Sequence, residues 1–210
     1  TIQRGVYVNP TPLVDFTVGS VCVGDETAFT NNTIPNDNTI AQWNWSFGDG
    51  QSDDVNEPVH PYQNYGNYTA TLTATTDSNC VGTRSLDVEV YPYPQASFTF
   101  SDIEGCTPVS IDFQDQSAID PSFSIGSYEW IFGDGTTANS ASPSHVFNTA
   151  GNYDISLVAT TQNGGCSDTL TYAQLIAVYE TPNANFTFSP TDATMLDPRI
   201  EFDNTTTNGN

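Results

Sequence analysis

The sequence predicts an all-β chain of two-sheet sandwiches repeated in tandem. Three observations carry that expectation. Short apolar stretches alternate with a period of two, no stretch shows a helical period with caps, and a long series of motifs is written twice in the same order.

The repeat runs along the whole chain. Residues 1–8, TIQRGVYV, match the closing strand of a repeat, as in SLDVEV (85–90) and QLIAV (174–178). Proline-bearing connectors follow at VYVNPTP (6–12), VEVYPYP (88–94) and AVYETP (177–182), with no Gly–Ser tract, so successive units should be held semi-rigidly. Phe16 in VDFTV, Phe98 in ASFTF and Phe186 in ANFTF open equivalent strands. Next come WSFGDG (45–50) and WIFGDG (130–135), then EPVHPY (57–62) and SPSHVF (142–147). GNYTATLTATT (66–76) and GNYDISLVATT (151–161) close the series. The expected domains are therefore 1–9, the last strand of a preceding repeat; 10–92 and 93–181, two full repeats; and 182–210, the start of a further, truncated one. Such a chain reads as an excerpt from a longer array.

Alternation defines the strands. Tyr68, Ala70, Leu72 and Ala74 share one face while threonines take the other, and Tyr153, Ile155, Leu157 and Ala159 repeat the pattern. Trp43, Trp45 and Phe47 alternate likewise, echoed by Tyr128, Trp130 and Phe132. About seven short strands in roughly 85 residues, punctuated by Gly, Pro and Asn, make a two-sheet sandwich. The Gly–x–Tyr corners at Tyr68 and Tyr153 place a phenol where it can bond backbone across the fold.

Charge excludes whole classes of partner. Lys plus Arg number 3 against 25 Asp plus Glu, a net charge of −22 with no lysine at all. Such a chain repels nucleic acid and anionic membrane. No apolar run approaches the roughly 20 residues of a membrane span.

In the hexamers, Trp45, Phe47, Trp130 and Phe132 read as core anchors. Gly48, Asp49 and Gly50, like Gly133, Asp134 and Gly135, read as a tight turn in which the Asp side chain bonds nearby amides. The functional alternative makes Asp49 and Asp134 catalytic or metal-binding, but neither repeat offers a convincing partner acid, base or nucleophile. His60 and His145 read as structural imidazoles bonding a local carbonyl. No cofactor is required, and no P-loop, Rossmann fingerprint or zinc spacing appears. Asp49, Asp53, Asp54 and Glu57 in GDGQSDDVNE are the calcium candidates, although the equivalent GDGTTANSAS keeps only Asp134.

The 4 cysteines admit three pairings. Repeat equivalence selects Cys22–Cys80 and Cys106–Cys166, since each pair falls within one repeat at matching places. Disulfides imply an oxidising compartment: cell surface, periplasm or medium. Under load, such bridges would leave roughly 90 Å of each repeat free to extend, against roughly 280 Å without them.

Trp–x–Phe–Gly–Asp–Gly, then Pro–x–His, then Gly–x–Tyr–x–x–x–Leu, resembles the PKD (polycystic kidney disease) family. The resemblance implies immunoglobulin-like β-sandwiches, usually in tandem on extracellular proteins. One position departs from the family: Ser46 and Ile131 stand where an acidic residue or Asn is usual. The lysine-poor, Asn/Thr-rich style further resembles giant cell-surface adhesins of gliding Bacteroidetes-type bacteria, exported by type IX secretion. On that reading the segment is a non-enzymatic stalk that transmits force. Its partners are neighbouring repeats, with surface glycans or the gliding and secretion machinery reached through other parts of the parent protein. The alternative is a set of substrate-binding accessory modules of a secreted hydrolase, for which Trp43, Tyr62, Tyr65, Tyr91 and Tyr93 are candidate contact residues.

Overall fold

The structure, a computed structural model, describes residues 9–19, 21–36, 38–189, 191, 195 and 199–207. The closing strand expected over 1–9 therefore lies, apart from Asn9, outside the described residues. All the elements of the described residues are β-strands.

The first repeat supplies β1 (Phe16–Val18), β2 (Val21–Cys22), β3 (Glu26–Asn31), β4 (Ile40–Ser46), β5 (Ser52–Asp53), β6 (Val59–Pro61), β7 (Gly66–Thr76) and β8 (Val81–Tyr91). They form a three-stranded sheet, β1-β3-β6, and a five-stranded sheet, β2-β8-β7-β4-β5. All these pairings are antiparallel except β2 with β8, which is parallel and places Cys22 opposite Tyr91.

The second repeat supplies β9 (Phe98–Phe100), β10 (Glu104–Cys106), β11 (Val109–Asp115), β12 (Ile125–Ile131), β13 (Thr137–Ala138), β14 (Ser144–Phe147), β15 (Gly151–Thr161) and β16 (Ser167–Tyr179). Its sheets are β9-β11-β14 and β10-β16-β15-β12-β13, again with one parallel pair, β10 with β16, and Cys106 opposite Tyr179. Finally β17 (Phe186–Ser189) and β18 (Glu201–Asn204) form an antiparallel hairpin.

Alternation built these sheets as the sequence required. Ala70, Leu72 and Ala74 are buried on one face of β7, and Ile155, Leu157 and Ala159 on that of β15. Each core centres on a fully buried indole. Trp45 meets Phe16 edge-on at 4.9 Å and Phe29 at 5.4 Å, while Trp130 meets Phe98 at 5.1 Å and Phe113 at 5.5 Å. Both indole N–H groups find carbonyls, Val55 at 3.0 Å and Ser140 at 2.9 Å, so burying them leaves no donor unpaired. The tyrosine corners form, but locally. Tyr68 Oη donates to the Asn64 carbonyl at 2.9 Å and Tyr153 Oη to that of Thr149 at 2.7 Å, each four residues upstream rather than across the fold.

The chain divides into two compact units. One holds the residues up to Pro94 together with Ile119–Gly126 and Thr160–Ser167, and the other holds Gln95–Ala118, Ser127–Ala159 and the residues from Asp168 onward. Two loops of the second sequence repeat thus belong to the unit of the first. Within that first unit the Tyr65 hydroxyl donates to Asp120 at 2.9 Å, and Phe123 meets the rings of Tyr65 and Tyr91.

Candidate functional site

The Gly–Asp–Gly turns are built as the sequence implies and then do something it did not reveal. Gly48 sits at φ 84° and a Cβ there would lie 2.8 Å from the backbone of Thr69, so only glycine fits without displacement. Asp49 Oδ1 accepts the Gln51 amide at 3.0 Å, and Asp134 Oδ1 accepts that of Thr136 at 3.0 Å. The other carboxylate oxygen faces a histidine: Asp49 Oδ2 lies 2.8 Å from His60 Nε2, and Asp134 Oδ2 lies 2.7 Å from His145 Nε2. The expected carbonyl partner of each histidine is therefore corrected to the turn carboxylate.

Each imidazole is clamped on its faces as well. His60 stacks on Phe47 at 4.0 Å and 4° and meets Tyr62 edge-on, while His145 stacks on Phe132 at 4.1 Å and 2° and meets Phe147 edge-on. The columns continue to Tyr68 and Tyr153 respectively. Burial pushes the Asp49 carboxyl up, but the Gln51 amide and the His60 ring outweigh it and hold the group below the usual carboxylate range. Asp134 is also held low: burial raises it, and the Thr136 hydroxyl, His145 and the Thr136 amide more than compensate.

Chemically this is a latch rather than a catalytic dyad. In a triad the carboxylate and the nucleophile occupy different ring nitrogens, so that the histidine can take a proton on one while held by the other. Here the Thr136 hydroxyl lies 3.4 Å from His145 on Nε2, the same nitrogen that faces Asp134, and it bonds the Asp134 carboxylate itself at 2.6 Å. Gln51 occupies the corresponding place in the first repeat and brings no hydroxyl. The calcium candidates do not converge. Asp49 is committed to His60, Asp53 Oδ1 accepts the amides of Asp54 and Val55, and no group of three or more metal-binding side chains exists among the described residues.

Of the candidate contact aromatics, Tyr62 is fully buried, with its hydroxyl donating to the Phe47 carbonyl at 3.1 Å, and so is removed from any binding surface. Trp43 is half-buried against the first core. Tyr65 and Tyr93 are exposed, and Tyr93 Oη donates to Asp25 at 2.6 Å.

The cysteines are paired otherwise than repeat equivalence suggests. Cys22 is bonded to Cys166, with a Cα–Cα distance of 5.7 Å, while Cys80 and Cys106 are thiols. The long closing strands are the reason. Cys22 lies opposite Tyr91, at the end of β8, whereas Cys80 immediately precedes Val81, its start. At about 3.3 Å per residue a strand of that length holds the two ends some 30 Å apart, far beyond the roughly 7 Å that a disulfide can span. Cys106 and Cys166 are separated in the same way by β16. Cys22 and Cys166 both belong to the first unit.

Repeated immunoglobulin-like sandwiches whose polar cluster braces a turn define a class of non-catalytic modules. The PKD domain model matches residues 9–90 and 92–175, and the chain belongs to that family. It is 33% identical over 109 residues to collagenase ColA of Clostridium perfringens, covering 50% of this chain and 9% of the relative. Over 84 residues it is 33% identical to a microbial collagenase of Vibrio alginolyticus, covering 40% of this chain and 10% of the relative. The chain thus spans about a tenth of the length of these curated relatives. Among solved structures, the PKD1 domain of the Vibrio cholerae metalloprotease PrtV is 26% identical with a TM-score of 0.37, covering 39% of this chain and 98% of that one.

Proposed function

We propose that this chain is a pair of accessory modules of an extracellular hydrolase, holding or spacing a catalytic domain against an insoluble substrate. The observation that supports this reading is the 33% identity over 109 residues to a collagenase of which the matched part is 9%. That pattern fits a module reused beside a catalytic domain, and it favours the hydrolase over the adhesin that composition suggested. Exposed Tyr65 and Tyr93, together with Tyr172 and Tyr179, supply aromatic surface for a fibrous protein substrate. The full repeats are taken to be 10–92 and 93–181, with a further repeat beginning at 182.

Retention of the 210-residue chain on insoluble collagen tests the reading. Binding that falls several-fold in Tyr93→Ala or Tyr65→Ala supports it. No retention on collagen, with the chain folded, removes substrate holding and leaves spacing alone.

A second reading, the force-bearing stalk of a surface adhesin, is favoured by one feature. The single disulfide joins residues of two successive repeats rather than closing each repeat on itself. Export by type IX secretion and a role in gliding belong to this second reading.

A further inference from the structure

The two thiols occupy the same kinds of seat as the two bridged cysteines. Cys22 lies opposite Tyr91 in a parallel pair, and the next residue, Val23, donates its amide to the Tyr91 carbonyl at 2.9 Å. Cys106 lies opposite Tyr179 in the equivalent parallel pair, and Thr107 donates to the Tyr179 carbonyl at 2.9 Å. These are tail seats, at the end of a closing strand.

The other two are head seats, at the hairpin before a closing strand. Cys166 is fixed by its own turn: its amide donates to Thr161 Oγ1 at 3.0 Å, and its carbonyl accepts the Thr161 amide at 2.9 Å. Cys80 is held identically by Thr76, at 3.0 Å and 2.9 Å. Cys166 Sγ lies 3.9 Å from the Tyr91 carbonyl, the residue opposite its partner Cys22. Cys80 Sγ lies 3.6 Å from the Asn9 carbonyl, and Asn9 is the first residue of NPTP as Tyr91 is of YPYP.

A bridge in this protein therefore forms where a tail cysteine and a head cysteine meet at one connector residue. That arrangement is complete at Tyr91. At Asn9 a head cysteine waits without its tail, and at Tyr179 a tail cysteine waits without its head.

We propose that Cys106 and Cys80 are half-sites of further bridges of the same kind. Cys106 would join the head cysteine of a PKD repeat continuing from Tyr179, and Cys80 the tail cysteine of a repeat whose closing strand leads into Asn9. The partner in each case is an adjacent repeat of the same polypeptide, because in the complete bridge the closing strand bearing the tail seat runs straight into the connector of the repeat that supplies the head. The result is a disulfide ladder with one rung per connector. The proposal is independent of whether the parent protein is a hydrolase or an adhesin.

Each rung forms by thiol–disulfide exchange with a small disulfide oxidant such as glutathione disulfide. The Cys106 thiolate attacks the oxidant, forming a mixed disulfide and releasing one thiolate. The partner thiolate then displaces the second. One protein S–S bond is gained, the two protein thiols lose two electrons and two protons, and the oxidant leaves as two thiols.

The test keeps the full chain and inserts a second copy of residues 94–181 between Thr181 and Pro182, so that a head cysteine follows Tyr179. The inserted copy carries Ser110→Thr and Thr169→Ser so that its cysteine peptides differ in mass from the original ones. The protein is oxidised in a glutathione buffer and its disulfides are mapped by mass spectrometry of unreduced peptides. Cys22–Cys166 reports that the original segment has folded. The expected new linkage joins Cys106 to the inserted copy of Cys166, within a monomer, and Cys106→Ser abolishes it alone. With Cys22–Cys166 present, a Cys106 that stays a thiol, or pairs with Cys80 of a second chain, overturns the proposal. A linkage between Cys106 and Cys166 of its own repeat overturns both the proposal and the geometry from which it comes.

Discussion

Asp49 and Asp134 carry more of the fold than a turn residue usually does. Each carboxylate caps the turn that follows it and anchors a stacked imidazole, so its charge is bound on two sides. Removing the ring in His60→Ala leaves a largely buried carboxylate without its partner, and a loss of about 3 kcal/mol in chemical denaturation is expected. Because the folded-state pKa of Asp49 is depressed, its contribution is present above the unfolded value near 4 and is lost as pH falls through the lower folded value. The stability gap between the natural protein and Asp49→Asn should therefore be full at pH 7 and shrink below about pH 4. A gap unchanged down to pH 2 would mean that the carboxylate charge contributes nothing. Gly48 and Gly50 separate backbone strain from crowding. Both have positive φ, but a Cβ at Gly48 meets Thr69 backbone, whereas at Gly50 it meets open space. Gly48→Ala should cost about 2–4 kcal/mol and Gly50→Ala about 1–2, measured as denaturation midpoints at constant slope. The pairing of Asp with His was readable in principle: both residues recur in both repeats with a separation of 11. A local turn and a distant ring looked like separate motifs, because only the β4–β5 and β3–β6 pairings bring them together.

At the scale of elements, the strands were legible because their faces differ so sharply in polarity. Ala70, Leu72 and Ala74 could not face water while Thr69, Thr71 and Thr73 faced the core. The end of the sheet at which each cysteine sits was not legible, since matching places in a repeat say nothing about which strand end they mark. The decisive facts are long-range: the two-residue β2 pairs in parallel with the last residues of β8, not the first. The same distinction explains Tyr62, which sequence left open to solvent and the β3–β6 edge turned inward onto Phe47. A thiol assay follows from the pairing. Alkylation of the denatured, unreduced protein should modify Cys80 and Cys106 and spare Cys22 and Cys166. In the native protein, exposed Cys106 should react several-fold faster than half-buried Cys80. Labelling of none of the four would mean that Cys80 and Cys106 are bridged as well, against the thiols seen here.

For the molecule as a whole, the same disulfide decides how tension travels. It closes a sequence separation of 144 residues, and the chain-entropy model assigns such a loop about 5 kcal/mol of stabilisation. More consequentially, a force applied at the chain termini passes from Cys22 to Cys166 through the sulfurs and leaves everything between them unloaded. Both WxFGDG hexamers, both histidine columns and the connector YPYP lie in that protected stretch. In single-molecule pulling of the oxidised chain, unfolding should release only residues outside the bridge. Adding a reductant should then lengthen the fully extended chain by about 500 Å, from the closed residues at about 3.4 Å each. Bridges within each repeat would instead leave the connector between Cys80 and Cys106 under load, and the gain on reduction would fall to about 400 Å. A difference of about 100 Å is within reach of the measurement, and the smaller value would restore the pairing that repeat equivalence favoured. The larger value would mean that the stretch from β3 to β15, with both hexamers in it, is held out of the covalent load path as a single loop.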